Sequence, residues 1–247
     1  MHAGLFGNRL EWIVFGTYAI LKKNMIAIIN IIIRVLVFLG IVTIASVGAY
    51  KVLPEYITLK VPFTSQAPEG SWAEPWQNAC EEASIIMIDN FYKSDTLTKE
   101  KSRVEILSIF NIKERHFGPS ADESMETVAA IINSSNLNWR ARVIDNPTIE
   151  DLKKELADQR PIIVPVDAKM LDNPNYSDPA PDYHVVVLIG YDDATSEFIT
   201  HDPGTAKGQS FRYDYQKFFD AIGDYLSAGD QRVASKRVLF TMLKRTE

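Results

Sequence analysis

Residues 184–203 read HVVVLIGYDDATSEFITHDP. Two apolar, β-branched runs flank the polar stretch Asp192–Ser196, which is the pattern of an antiparallel hairpin. The midpoint between His184 and Asp202 is residue 193, which falls inside that turn. Antiparallel pairing therefore brings an imidazole and a carboxylate together at the open end of the hairpin. Strand alternation sends His201 to the face opposite Asp202.

Working outward, further strands are expected at Trp139–Ile144, Ile162–Val166, Glu197–Thr200 and Arg237–Met242. Helices are expected before them. Asn78 with Glu81 has the form of an N-cap and its reciprocal partner, opening a helix that runs to about Tyr92. Ser120 with Glu123 opens a second helix to about Asn133, and Thr148 after Pro147 opens a third that ends before Pro161. Helices followed by strands make an α+β order. The Pro- and Asp-rich stretch Asp172–Asp182 reads as an exposed loop leading into His184.

Composition narrows the chemistry. The 247 residues are 46% hydrophobic and 23% charged, ordinary values for a chain that buries a core. Cys80 is the single cysteine, which excludes an intrachain disulfide and a Cys-rich zinc site. Residues 1–56 hold five cations and two anions, leaving 21 cations and 30 anions in residues 57–247. An acidic body of this kind does not fit a nucleic-acid partner. There is no HExxH or paired-Cys spacing, so neither a metal nor another cofactor is expected.

Residues 25–50, MIAIINIIIRVLVFLGIVTIASVGAY, are long enough to span a membrane. Arg34 is costly in mid-membrane but lies about a third of the way in, where its long side chain can snorkel to the near interface. Lys22 and Lys23 precede the run, so the positive-inside rule expects the N-terminus in the cytoplasm and the body extracytoplasmic. A cell-membrane signal anchor is one reading. A cleaved signal peptide with small residues at Ser46–Ala49, releasing a secreted protein, is the other. The domains expected are a short segment 1–24, either cytoplasmic or ahead of a start at Met25, an anchor 25–50, a linker 51–56 and a globular body 57–247.

Cys80, placed near a helix N-terminus, is expected to have its thiolate favoured by free N–H groups and the helix dipole. With His184 as base and Asp202 orienting the base, it forms a generalised catalytic triad. Trp72, Trp76 and Tyr183 are candidates to line a cleft.

The blocks VPFTSQAPEGSWAEPWQNACEEASIIMIDNFY (61–92) and DYHVVVLIGYDDATSEFITHDPGT (182–205) resemble the bacterial C39-like peptidase family of the papain-like cysteine peptidases. The resemblance implies a nucleophile helix packed on an antiparallel sheet, Cys80 as nucleophile, His184 as base and Asp202 as its orienting residue. Papain-like enzymes usually carry an oxyanion-hole Gln about six residues before the Cys, and that position here is Glu74. Gln66 is the better candidate by resemblance to the opening block, with Gln77 the alternative. Relatives that cut leader peptides are fused to ABC exporters, whereas this chain has no GxxxxGKS/T phosphate loop. The expected activity is hydrolysis of an amide in a peptide or cell-surface polymer through a thioester acyl-enzyme. A catalytically silent peptide-binding module and a transglutaminase-like acyl transferase remain open beside it.

Overall fold

The computed structural model describes residues 16, 18, 21–37, 52–119, 122–226 and 231–244. The chain divides into two compact units, Met1–Val52 and Leu53–Glu247. In the first, residues 21–37 form a helix (α1) whose Ile, Leu and Val side chains are exposed. No helix among the described residues is long and apolar enough to cross a membrane. Residues 38–50 of the expected anchor, and most of segment 1–24, lie outside the described residues.

The second unit is α+β. Its main sheet has seven strands in the order β2 (Trp139–Asp145), β9 (Arg237–Leu243), β3 (Ile162–Val166), β4 (His184–Asp192), β5 (Glu197–His201) and β6 (Phe211–Asp214), with β1 (Tyr56–Thr58) also on β4. Every pairing is antiparallel. The five strands read from the sequence are all present. β1, β6 and the small hairpin β7 (Asp224–Leu226) and β8 (Gln231–Val233) were not anticipated, being three or four residues long.

β4 is the spine of the sheet. All but its last residue are buried, since α2 (Cys80–Lys93) and α5 (Ile149–Ala157) both pack against it. This explains why HVVVLIGY is a continuous apolar run rather than an alternating one. β3 pairs with its first half and β1 with its last three residues. A Cβ at Gly190 would stand 2.2 Å from the Ile57 carbonyl oxygen, so only glycine admits β1 there.

α2 is buried from Cys80 through Asn90. Ile85, Ile86, Met87 and Ile88 are almost wholly removed from water, at about 1.5–3 kcal/mol for each such side chain. Asp89 and Asn90, two of its buried polar residues, are matched. Asp89 takes Lys93 at 2.5 Å and the Trp139 indole N–H at 3.2 Å, and the Asn90 amide donates to Ile86 O and Glu105. The helix ends at Ser94, which adopts a left-handed φ of 54°.

α3 (Lys99–Phe117) was missed in the sequence. It buries Ser102, Ile106, Ile109 and Lys113, which is a helical stripe with a lysine in one apolar place. Lys113 belongs there because it meets buried Glu82 at 2.9 Å. α4 (Met125–Ser134) begins four residues later than expected, its cap being Ser124, which accepts from the Thr127 N–H at 3.2 Å. α5 has the expected Thr148 cap, completed as a capping box by Asp151. Two short helices, α6 (Ala168–Leu171) and α7 (Tyr215–Ala221), complete the unit.

Candidate active site

The arm before α2 carries a single 3₁₀ turn, Trp76–Asn78, which runs through Ala79 into Cys80. The expected Asn78 cap is not formed. Ala79 occupies the cap position with no side-chain bond, and Cys80 is the first helical residue. The physical cause is competition: the Asn78 amide donates to the Glu74 carboxylate at 2.9 Å, and the Gln77 amide donates to the same oxygen. Glu81, freed from a capping role, turns inward.

Gln66 ties the two halves of the site together. Its side-chain amide donates to Trp76 O at 3.0 Å and Gln77 O at 2.9 Å, both just ahead of Cys80. Its backbone N–H donates to Pro203 O at 3.0 Å, and the Ser65 hydroxyl donates to the same carbonyl. Pro203 follows Asp202, so one short segment fixes the arm before Cys80 against the carboxylate turn.

His184 opens β4 and is buried. Its Nε2 lies 2.8 Å from Asp202 Oδ1, leaving Nδ1 as the ring nitrogen facing other chemistry. The pair is not directly opposed as a regular hairpin would have it. The pairs Leu188–Thr200 and Val187–His201 put residue 202 level with Val186, and Asp202 lies just past the end of β5, so His184, two residues from Val186, reaches it diagonally.

Asp202 is fully buried and richly bonded. Besides His184, its oxygens accept from the Gly204 N–H at 3.0 Å, Tyr213 OH at 3.1 Å, the Asn173 amide at 3.4 Å and Tyr176 OH. Burial works against its charge, but the His184 ring, Tyr176 and Gly204 outweigh it and hold its pKa below the ordinary carboxylate value. The Tyr176 ring also stands edge-on to His184, with centroids 5.7 Å apart. A Cβ at Gly204 would come within 2.7 Å of His184 Cε1 and Nε2, so this turn must be glycine. Tyr176, Tyr213 and Asn173 were not foreseen. Tyr176 and Asn173 lie in the Asp172–Asp182 loop, which is mostly exposed but sends these two side chains inward.

His201 is directed away, as strand alternation requires. Its Nδ1 accepts from the Ser210 N–H at 3.1 Å, so Nε2 donates to Val61 O at 2.8 Å, and burial lowers its pKa.

Cys80 and His184 line one cleft of about 1140 Å³, together with Gln66, Trp72, Gln77, Tyr183 and Gly204. The loop from Asn175 to Asp182 contributes much of the remaining lining. Trp76 instead packs against the core. The thiol differs from expectation. Burial pushes its pKa well above the ordinary value, and the negative charges of Glu81 and Asp122 push it further. These effects act against the helix-terminal stabilisation of the thiolate. The Cys80 Sγ lies 3.0 Å from Glu81 Oε2.

A Bacillus anthracis protein described as a C39-like peptidase superposes with a TM-score of 0.50 at 18% identity, covering 78% of this chain and all of its own. The digestive procathepsin L 3 of Tenebrio molitor larval midgut gives a TM-score of 0.37 at 12% identity, over 78% of this chain and 72% of its own. No match is found among curated proteins. The model of the Peptidase_C39 like family matches residues 58–233, from the start of the sheet to the β7–β8 hairpin and across every site residue above. The chain belongs to the Peptidase_C39 like family.

Proposed function

We propose that the protein is a membrane-anchored cysteine peptidase or amidase that cleaves a peptide or cell-surface polymer on the extracytoplasmic side. The observation that carries this reading is that Cys80 and His184 open on one cleft while Asp202 holds the far nitrogen of the same imidazole. In the reaction, the Cys80 thiol proton passes to His184 Nδ1 and the sulfur bonds to the carbonyl carbon. The C–N bond then breaks, the proton goes to the leaving amine, and a thioester remains for water to hydrolyse. Asp202 stays ionised and keeps Nε2 as the N–H side of the ring.

The first N–H groups of a helix have no intrahelical acceptor, so the Cys80 N–H is one oxyanion donor. Gln66 is the second, exchanging one of its two backbone carbonyls for the developing oxyanion, with Gln77 the alternative. The anchor is supported by the apolar run 25–50 and by Lys22 and Lys23 before it. A reporter fused after Glu247 tests the topology: activity outside the cytoplasm is expected, and activity only inside overturns it.

The chemical test is alkylation of Cys80 by iodoacetamide against pH in the full-length protein and in His184→Ala. Because Cys80 is the single cysteine, every label reports on it. Rapid labelling at about pH 5 that collapses in the variant is expected for a thiolate–imidazolium pair, whereas an ordinary thiol titrates near pH ~8.5. Slow labelling with that ordinary midpoint in both proteins overturns the peptidase reading and leaves a peptide-binding module.

A further inference from the structure

The triad leaves unused a carboxyl group that touches the reacting sulfur. Glu81 is 1% exposed, with Oε2 3.0 Å from Cys80 Sγ and Oε1 accepting the Glu123 N–H at 3.0 Å. Next to it on α2, Glu82 is equally buried and takes the buried ammonium of Lys113 from α3 at 2.9 Å. The groups that face Glu81 are Cys80 and Glu82 on its own helix, Lys113 on α3, Asp122 and Glu123 from the segment before α4, and Tyr183 from the approach to β4. Two adjacent buried carboxyls thus share the field of one ammonium, and that ammonium stands on Glu82. Like charges so placed do not both ionise near neutrality.

The consequence for the nucleophile follows from charge. An ionised Glu81 beside the sulfur opposes the thiolate. A protonated Glu81 removes that repulsion and offers an O–H to the sulfur instead. Hydrogen bonding to the charged form of a group favours that form, and a buried anion without a donor is costly.

We propose that Glu81 is a fourth catalytic residue, working as a neutral carboxylic acid that donates its O–H to the Cys80 sulfur while the thiolate forms and attacks. This inference rests on Cys80 being the nucleophile. The thiol proton still goes to His184 and on to the leaving amine, while Glu81 keeps its own proton throughout. No other reactant is required. The direction of the Glu81 titration agrees, because burial and the charges of Glu82 and Asp122 raise its pKa to about 8.

The experiment compares iodoacetamide labelling of Cys80 at about pH 6 in full-length wild type, Glu81→Ala, Glu81→Gln and His184→Ala, with the infrared difference between wild type and Glu81→Gln at the same pH. Loss of the donor in Glu81→Ala is expected to slow labelling about tenfold, equivalent to one unit of thiolate pKa. Glu81→Gln, whose amide N–H also donates, is expected to recover most of that loss, and the difference spectrum to contain the carbonyl stretch of a protonated acid. Labelling in Glu81→Ala as fast as wild type overturns the proposal. So does a Glu81→Gln as slow as the alanine variant, or a difference spectrum showing only a carboxylate. If Glu81→Ala does not fold, the isosteric glutamine variant and the infrared band still decide. A slow His184→Ala beside a fast Glu81→Ala leaves the peptidase standing without Glu81. A His184→Ala that labels like wild type removes the nucleophile reading and the role of Glu81 with it.

Discussion

Asp202 and Glu81 are both buried carboxyls beside a residue of the proposed triad, and their surroundings drive them in opposite directions. Asp202 accepts from His184, Gly204, Tyr213, Asn173 and Tyr176, and its pKa is held low. Glu81 has the Glu123 N–H and the Cys80 thiol, with Glu82 and Asp122 adding like charge, and its pKa is raised to about 8. Burial is common to both, so it does not decide the charge. The number of donors and the sign of the neighbours do.

The largest expected effect comes from removing the charge that Asp202 is built to hold. Asp202→Asn keeps the shape but presents an N–H to His184 Nε2, forcing the wrong tautomer. The acylation rate is then expected to fall on the order of 10³- to 10⁴-fold. A rate within tenfold of wild type would show that His184 does not need the carboxylate, and the contrast with Glu81 would lose its functional meaning.

Next comes the cation that sets the other environment. Lys113→Ala leaves Glu82 and Glu81 adjacent without the ammonium, and about 3–5 kcal/mol of stability is expected to go with it. Denaturant unfolding measures the loss. Adding Glu82→Gln to Lys113→Ala should restore part of it, and failure to do so would mean that Lys113 acts through other partners.

Gly204→Ala attacks the His184–Asp202 geometry without touching either charge. The added Cβ stands 2.7 Å from the imidazole, so the ring must move. About a tenfold drop in Cys80 labelling is expected with the fold intact by circular dichroism, on the scale of a misplaced catalytic group. An unaltered rate would show the ring has room.

The smallest effects are in pH dependence. A carboxyl raised from about 4.3 contributes stability that is full below that value and fades as pH rises towards about 8. Glu81→Gln should therefore flatten the fall in melting temperature across that window, and an unchanged slope would place the proton elsewhere. For Asp202 the sign is reversed. Its contribution is present above about 3.9 and is lost as pH falls through its lower folded value. Tyr176→Phe removes one donor, at about 0.5–1.5 kcal/mol, and should move that acid loss to higher pH.

The sequence made local pattern legible. The strands at 139, 162, 184, 197 and 237 were readable because β-branched runs and polar breaks are short-range signals, as is the Thr148 cap after Pro147. His184 and Asp202 could be paired from the symmetry of one hairpin. α3 was hidden because its buried stripe contains Lys113, whose partner Glu82 is 31 positions away in the chain. The Asn78 cap failed for a related reason, since Glu74 competes for its side chain.

By itself, then, the sequence determined the residue types, the single thiol, the apolar run at 25–50 and the elements that bring Cys80, His184 and Asp202 to one end of the sheet. Tertiary structure alone decided which partners each carboxyl meets. Donors to Asp202 come from four separate stretches, and the charges around Glu81 from three more. A protonation state depends on distances between groups remote in the chain, and no local pattern encodes those distances.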